Sequence, residues 1–130
     1  MNRRSDKRKH PRIPLAASAT VLVGDQVIEI TIGNVSMNGI LFHAQHPFNL
    51  GAEIDVIFRG VDRGKDFEES VFGKIVTVSR KDSGNSYGLQ FSDDLDKEVQ
   101  PFLSGFVNRT KGTDISFLRN PIYSRAGRKP

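Results

Sequence analysis

The sequence predicts a mainly β protein, a six-stranded antiparallel Greek-key-like β-barrel with a C-terminal α-helix and a flexible N-terminal arm. About six short apolar and β-branched runs lie between residues 19 and 91, with no helical pattern between them. Apolar residues at helical spacing come only after the last of these runs. The length of 130 residues fits one domain.

The predicted strands follow one another along the chain, separated mostly by Gly, Asn and Pro turn signals. Asn38-Gly39 between two apolar runs is a strong hairpin signal. The charged stretch from Arg59 to Glu69 is expected to be a loop. The strands are predicted at residues 19–23, 27–32, 40–42, 54–58, 71–78 and 87–91.

One helix is predicted after the last strand. Ser92 or Asp93 would cap its start, because short polar side chains accept hydrogen bonds from the first free amides of a helix. Pro101 predicts a kink or a second start, since proline does not fit a helix interior. The helix would present one apolar stripe, formed by Leu95, Val99, Phe102, Leu103, Phe106 and Val107.

Charge divides the chain into three segments. We expect a basic arm over residues 1–14, the barrel with its helix over residues 15–108, and a basic tail over residues 109–130. The total of +4 hides a charge of +5 in residues 1–12, −6 in residues 13–108 and +5 in the tail. A basic arm can serve solubility alone, or it can bind anions, and composition does not choose between the two.

Composition excludes several classes of function. Without Cys the chain has no disulfide, thiolate nucleophile or zinc ribbon. It has no apolar run long enough to span a membrane and no signal peptide, so we expect a cytoplasmic protein. Ser36 lies outside a nucleophile elbow, and His43 and His46 have no evident metal-ligand set around them. We therefore expect neither an enzyme nor a metal site.

Two short patterns together predict a binding site. Arg8 and Arg12 are four residues apart on an arm that an intervening proline keeps extended. Their planar guanidinium groups suit guanine edges and phosphates. Asn34 and Ser36 are two apart at a strand end, so we expect their side chains on one face. Gly39 would supply a positive φ at the turn and room for close approach.

The two patterns, in this order and ahead of a β-rich domain with a closing helix, resemble the PilZ family of bacterial cyclic di-GMP receptor domains. The family pattern RxxxR falls on residues 8–12, and (D/N)xSxxG falls on residues 34–39. The resemblance covers about residues 3–108 and includes the strand at residues 87–91. The tail from Arg109 lies outside it.

The resemblance implies a role for each motif residue. Arg8 and Arg12 would hold guanine edges and phosphates of the dinucleotide. Asn34 and Ser36 would contact a guanine and a phosphate region, with Gly39 shaping the turn. The family more often has Asp at position 34, and Asn offers only one acceptor oxygen to a guanine, so weaker binding is expected.

Two further residues are secondary candidates. Lys7 precedes the arginine pattern, where the family links a bulky or basic residue to the number of bound ligand molecules, and it favours the mode with two intercalated molecules. Arg80, at a predicted strand end, would contact a base or a phosphate. The other reading of Arg80 is a solvated arginine in a turn.

The sequence thus predicts a cyclic di-GMP receptor or adaptor, without a cofactor, that orders its N-terminal arm on binding and signals to a protein partner. Two alternatives stay open. One is a PilZ-like interaction module that binds no nucleotide. The other is a nucleic-acid-binding protein that uses the basic arms, although few aromatic residues accompany them.

Overall fold

The computed structural model describes residues 11–108 and 115–117. Most of the predicted arm and tail therefore lies outside the described residues. The prediction that the arm is flexible therefore concerns residues outside the described ranges. The described elements are β1 (Ile13–Val23), β2 (Gln26–Val35), β3 (Gly39–Ala44), β4 (Glu53–Asp62), β5 (Lys65–Lys81), β6 (Gly84–Phe91), α1 (Pro101–Asn108) and β7 (Ile115–Phe117).

Six strands form one antiparallel sheet that closes into a ring. They are hydrogen-bonded in the order β1-β2-β3-β6-β5-β4, and pairing between β1 and β4 closes the ring. Closure leaves few strand edges with unpaired backbone groups. The predicted mainly β, barrel-like architecture with one C-terminal helix is confirmed. The sequence reasoning missed β7, a short strand in the predicted tail that adds to β4.

The core lies inside the ring, where alternate residues of each strand point inward. In β4, Ile54, Val56 and Phe58 are buried while Asp55 and Arg59 between and beyond them are exposed. The largest completely buried side chains come from several strands and the helix. They are Tyr87, Phe42, Phe58, Ile32, Ile75, Leu103, Val21, Val35 and Val56.

The expected charged loop over residues 59–69 is wrong, because this stretch is a hairpin. Strand β4 continues to Asp62 and β5 begins at Lys65. The turn between them consists of Arg63 and Gly64, whose φ values of 53° and 82° match the two-residue turns that suit twisted hairpins. Charged side chains cover the outer face of both strands. The many charged residues thus concealed the alternation of buried and exposed side chains that is typical of a strand.

The helix is shorter than predicted. It begins at Pro101, the predicted second start, and residues 92–100 form bends and turns. Neither Ser92 nor Asp93 caps it, so that prediction is wrong. Val99 is 67% exposed and does not belong to an apolar stripe. No helix within the described ranges is long and apolar enough to cross a membrane.

The helix is capped by Glu69, a buried carboxylate on β5. Its Oε2 accepts a hydrogen bond from the Phe102 amide at 2.7 Å, and its Oε1 accepts one from the Leu103 amide at 2.8 Å. Burial raises the pKa of the Glu69 carboxyl above its usual value, and the two backbone hydrogen bonds offset part of that rise. The cap comes from a residue far away in sequence, which explains why local signals failed to locate it.

Candidate ligand-binding face around the motif turn

The motif turn, residues 36–39, connects β2 to β3 and is held together by its own polar groups. The Ser36 amide donates to the Gly39 carbonyl at 2.9 Å. The buried Ser36 hydroxyl donates to Asn38 Oδ1 at 2.8 Å and accepts from the Asn38 amide at 3.3 Å. Ser36 therefore uses its hydroxyl to shape the turn.

Gly39 is required for packing rather than for an unusual backbone angle. The expectation of a positive φ here is wrong, since the described glycines with positive φ are Gly24, Gly51, Gly64 and Gly84. A Cβ at Gly39 would lie 2.5 Å from the Leu89 carbonyl oxygen on β6. The predicted close approach does occur, and it is between strands β3 and β6.

Two backbone hydrogen bonds attach the motif turn to the end of β6 and the loop beyond it. The Phe91 amide donates to the Asn38 carbonyl at 2.9 Å, and the Leu95 amide donates to the Met37 carbonyl at 2.7 Å. These hydrogen bonds hold the turn against the end of β6 and so restrict the orientation of the residues beside it.

Asn34 occupies an irregular place in β2. It pairs with Pro14 on β1 and with Leu41 on β3, and the register shifts next to it in both pairings. Such bulges re-aim side chains and are frequent near functional sites. Asn34 Oδ1 is buried without a hydrogen-bond partner among the described residues. A buried acceptor left unpaired costs about 1–3 kcal/mol, so a donor that reached this oxygen would recover free energy.

Arg12 lies at the same end of the sheet. Ile13 pairs with Val35 and Pro14 with Asn34, so the register extended by one residue puts Arg12 opposite Ser36. Cross-strand partners share a face, and Arg12 is exposed. Arg12, Asn34 and the motif turn thus lie at the same end of the β1–β2 pair. Arg8 and Lys7 lie outside the described residues.

Beyond Leu41, the outer surface in line with Asn34 carries only small side chains. The pairings place Asn34, Leu41, Gly88 and Thr77 in one row across β2, β3, β6 and β5. A Cβ at Gly88 would collide with the Thr77 hydroxyl. The sequence reasoning noticed Gly88 only within a family-like strand. Its place beside Asn34 depends on sheet order, which no local pattern reveals.

His43 stands on this surface and was considered in the sequence only as a metal ligand. It is exposed on β3, and its Nδ1 lies 2.9 Å from Ser86 Oγ on β6. A Cβ at Gly33, the neighbour of Asn34, would lie 3.2 Å from His43 Nε2. The imidazole is therefore oriented, with Nε2 directed toward β2.

Arg80 belongs to a separate polar cluster centred on the buried Tyr87. Arg80 Nη1 donates to Tyr87 Oη at 3.1 Å, and Nη2 donates to the Phe48 carbonyl at 2.8 Å. Tyr87 Oη donates to the His46 carbonyl at 2.8 Å and accepts from the Phe48 amide at 3.0 Å. This cluster fastens the loop between β3 and β4 to the sheet.

The structure does not bring Arg80 to the motif turn. Arg80 pairs with Asn85 at the start of β6, whereas Gly39 pairs with Gln90 near its end. Five residues of extended strand span about 17 Å. Arg80 and the motif turn thus lie at opposite ends of β6.

The described residues also form an open groove of about 550 Å³ between β4, β5 and the loop after β6. Its lining includes Asp55, Asp93, Asp94 and Asp96 together with Phe72. This concentration of carboxylates repels phosphates. The groove is therefore a poor site for an anionic ligand, in contrast to the surface beside Arg12.

The chain belongs to the PilZ family, because the family model of the PilZ domain matches residues 6–108. Both motifs fall within the matched range. None of the curated proteins compared matches the sequence.

Solved structures share this fold at low sequence identity. The Bacillus subtilis inhibitor of motility, MotI/DgrA, has a TM-score of 0.64 and 15% identity, over 78% of this chain and 50% of that one. The PilZ domain of Escherichia coli YcgR with c-di-GMP has a TM-score of 0.54 and 12% identity, over 93% and 96%. YcgR in complex with c-di-GMP has a TM-score of 0.50 and 13% identity, over 81% and 48%. The chain thus spans about half the length of the MotI/DgrA chain.

Proposed function

We propose that this protein is a non-catalytic cyclic di-GMP receptor that binds its ligand at the motif turn, on the face that carries Asn34. The observation that carries the proposal is the unpaired, buried Asn34 Oδ1 beside the exposed Arg12. Membership of the PilZ family supports this ligand. The two similar YcgR structures, whose ligand is c-di-GMP, support it as well.

The chemistry of these groups is complementary to the ligand. Guanine N1–H or N2–H supplies the donor that Asn34 Oδ1 lacks. The Arg12 guanidinium can donate two parallel hydrogen bonds to guanine O6 and N7 or to a phosphate. Arg8, four residues earlier, is assigned the second guanidinium of the pair. Ser36 and Gly39 maintain the turn against which the ligand rests.

Charge favours binding of an anionic ligand by the arm rather than by the acidic body. Residues 1–12 carry +5 and residues 13–108 carry −6. Two ligand phosphates neutralise arm cations, and the arm then closes over the motif turn. We propose that this ordering changes the surface offered to a protein partner. Lys7 is proposed to favour two intercalated ligand molecules.

Arg80 remains a secondary candidate contact. Its guanidinium is already held by Tyr87 and Phe48, so a ligand there would meet an oriented but occupied donor set. Its replacement is expected to lower stability as well as any affinity. This makes Arg12 the cleaner probe.

Calorimetric titration with cyclic di-GMP tests the proposal. Arg8→Ala and Arg12→Ala should each weaken binding about tenfold or more, since one bidentate arginine contact is worth about 1–3 kcal/mol. Arg59→Ala is the matched control, because Arg59 is exposed and paired with Glu68 on β4 and β5. Unchanged affinity in both arm variants would refute the assignment.

Ligand competition separates a specific receptor from a general anion binder. GTP, GMP and other cyclic dinucleotides should compete poorly with cyclic di-GMP. Salt-sensitive binding of generic oligonucleotides, with no response to cyclic di-GMP, would instead identify the nucleic-acid-binding alternative. If neither cyclic di-GMP nor oligonucleotides bind, the result would favour the alternative of a PilZ-like interaction module that binds no nucleotide.

A further inference from the structure

His43 is oriented in a way that a solvent-exposed histidine does not require. Its Nδ1 is hydrogen-bonded to Ser86 Oγ at 2.9 Å across the β3–β6 pair. Nε2 has no hydrogen-bond partner among the described residues and is directed at Gly33. The side chain is thus fixed at one nitrogen and free at the other.

The free nitrogen faces the proposed binding surface. Thr31 pairs with His43, whereas Asn34 pairs with Leu41 because of the register shift between Ile32 and Asn34. His43 and Leu41 are two residues apart on one strand and share its outer face, about 7 Å apart. His43 therefore stands beside the row that contains Asn34.

Two glycines leave positions without a side chain on the surface around His43 and Asn34. Gly33 separates them on β2, and Gly88 lies beside Leu41 on β6. Any side chain at Gly33 would abut His43 Nε2, since even a Cβ would lie 3.2 Å from it. The lack of a Cβ leaves space beside Nε2, bounded by the Leu41 side chain, whose Cδ2 would lie 3.6 Å from a Cβ at Gly33.

We propose that His43 is an additional ligand-contacting residue, which donates a hydrogen bond from Nε2–H to an acceptor atom of the dinucleotide, and that Ser86 is its positioning residue. The inference rests on the proposed function and deepens it. Ser86 Oγ–H donating to Nδ1 leaves the proton on Nε2, the tautomer suited to a phosphate oxygen or guanine O6 or N7. The contact extends the site away from the motif turn, toward β6.

Calorimetry with cyclic di-GMP distinguishes this role from a structural one. His43→Ala should weaken binding about three- to tenfold, the range expected for one hydrogen bond. His43→Gln, which keeps a donor, should lose less. Ser86→Ala should lie between wild type and His43→Ala. His46→Ala is the control, because His46 packs on Phe48 in the loop between β3 and β4.

A second variant tests the geometry without touching the histidine. Gly33→Ala puts a methyl group against Nε2 and should reproduce the loss seen in His43→Ala. The double variant should bind no worse than either single one, since both remove the same contact. Additive losses would show that Gly33 and His43 act separately and would overturn the inference.

Nuclear magnetic resonance supplies a readout that a structural role would not move. The chain has only three histidines, so the imidazole signals are readily assigned. Cyclic di-GMP should shift the His43 signals and leave those of His46 in place. If wild type binds and His43→Ala binds equally well, the inference fails and the proposed function stands. If wild type does not bind, both fail.

Discussion

Two buried polar groups of this domain, the Glu69 carboxylate and the Asn34 amide oxygen, differ in their hydrogen bonding. Glu69 on β5 has both carboxylate oxygens paired with backbone amides of α1. Asn34 on β2 has a buried amide oxygen without a partner in the described part of the chain. Asn34 lies beside a register shift, whereas Glu69 lies within a regular part of β5, and both groups cost free energy to bury. Only Glu69 recovers part of that cost through hydrogen bonds within the protein.

The difference separates architecture from binding. A buried polar group that is fully paired fastens one element to another, as Glu69 fastens the helix to the sheet. A buried acceptor left unpaired adds no such link, and under the proposed function cyclic di-GMP supplies its donor. This distinction would be wrong if Asn34 stabilised the fold or if Glu69 could be replaced without loss of stability.

The largest effect is expected for Glu69→Ala. The variant leaves the Phe102 and Leu103 amides without their acceptors, and the free energy of unfolding should fall by about 2–3 kcal/mol. Urea denaturation measures it. Glu68→Ala is the matched control, because Glu68 is exposed and its pair with Arg59 is worth at most about 1 kcal/mol. Equal losses in the two variants would remove the role of Glu69 as the cap.

A smaller and different effect is expected for Asn34→Ala. The free energy of unfolding should change by less than about 1 kcal/mol, because no hydrogen bond to Oδ1 is lost. Affinity for cyclic di-GMP should fall about three- to tenfold, since one hydrogen bond between neutral groups is worth about 0.5–1.5 kcal/mol. Asn85→Ala, at the other end of β6, should bind as wild type does. A loss of stability as large as that of Glu69→Ala would make Asn34 structural.

The smallest effect concerns pH. The pKa of Glu69 is raised in the folded state by burial, so the folded protein holds this proton more tightly than the unfolded chain. That contribution is complete below the unfolded pKa of 4.5 and is lost as pH rises through the folded pKa. Glu69→Gln has no such proton. The stability difference, wild type minus variant, should therefore be larger at pH 4 than at pH 7.

Chemical denaturation of both proteins at the two pH values measures this difference. A difference that grows with pH would mean that the hydrogen bonds from Phe102 and Leu103 outweigh the cost of burial. Glu69 would then favour its ionised form in the folded state.

Sequence reasoning identified most of the sheet, because alternating side chains recorded which face of each strand is buried. It failed at residues 59–69, where charge on the outer face concealed the alternation. It also misplaced the helix start, because Glu69 caps α1 from 32 residues before Pro101. Val99 looked like part of an apolar stripe, yet it is exposed in a turn.

The candidate site divides in the same way. Asn34, Ser36 and Gly39 could be selected from spacing and residue type, since a turn at a strand end needs them close in sequence. The role of Gly39 could not, because the Leu89 carbonyl that excludes a Cβ belongs to another strand. The unpaired state of Asn34 and the pairing of His43 with Ser86 likewise depend on register shifts and sheet order.

Because backbone hydrogen bonds join the motif turn to the end of β6, hydrogen exchange there should depend on how rigid the turn is. The amide protons of Phe91 and Leu95 are protected from solvent exchange only while the turn offers its Asn38 and Met37 carbonyls. Any ligand that restrains the turn should slow the exchange of both amide protons with solvent. Under the proposed function, hydrogen exchange in the loop that follows would therefore report binding of the dinucleotide at the motif turn.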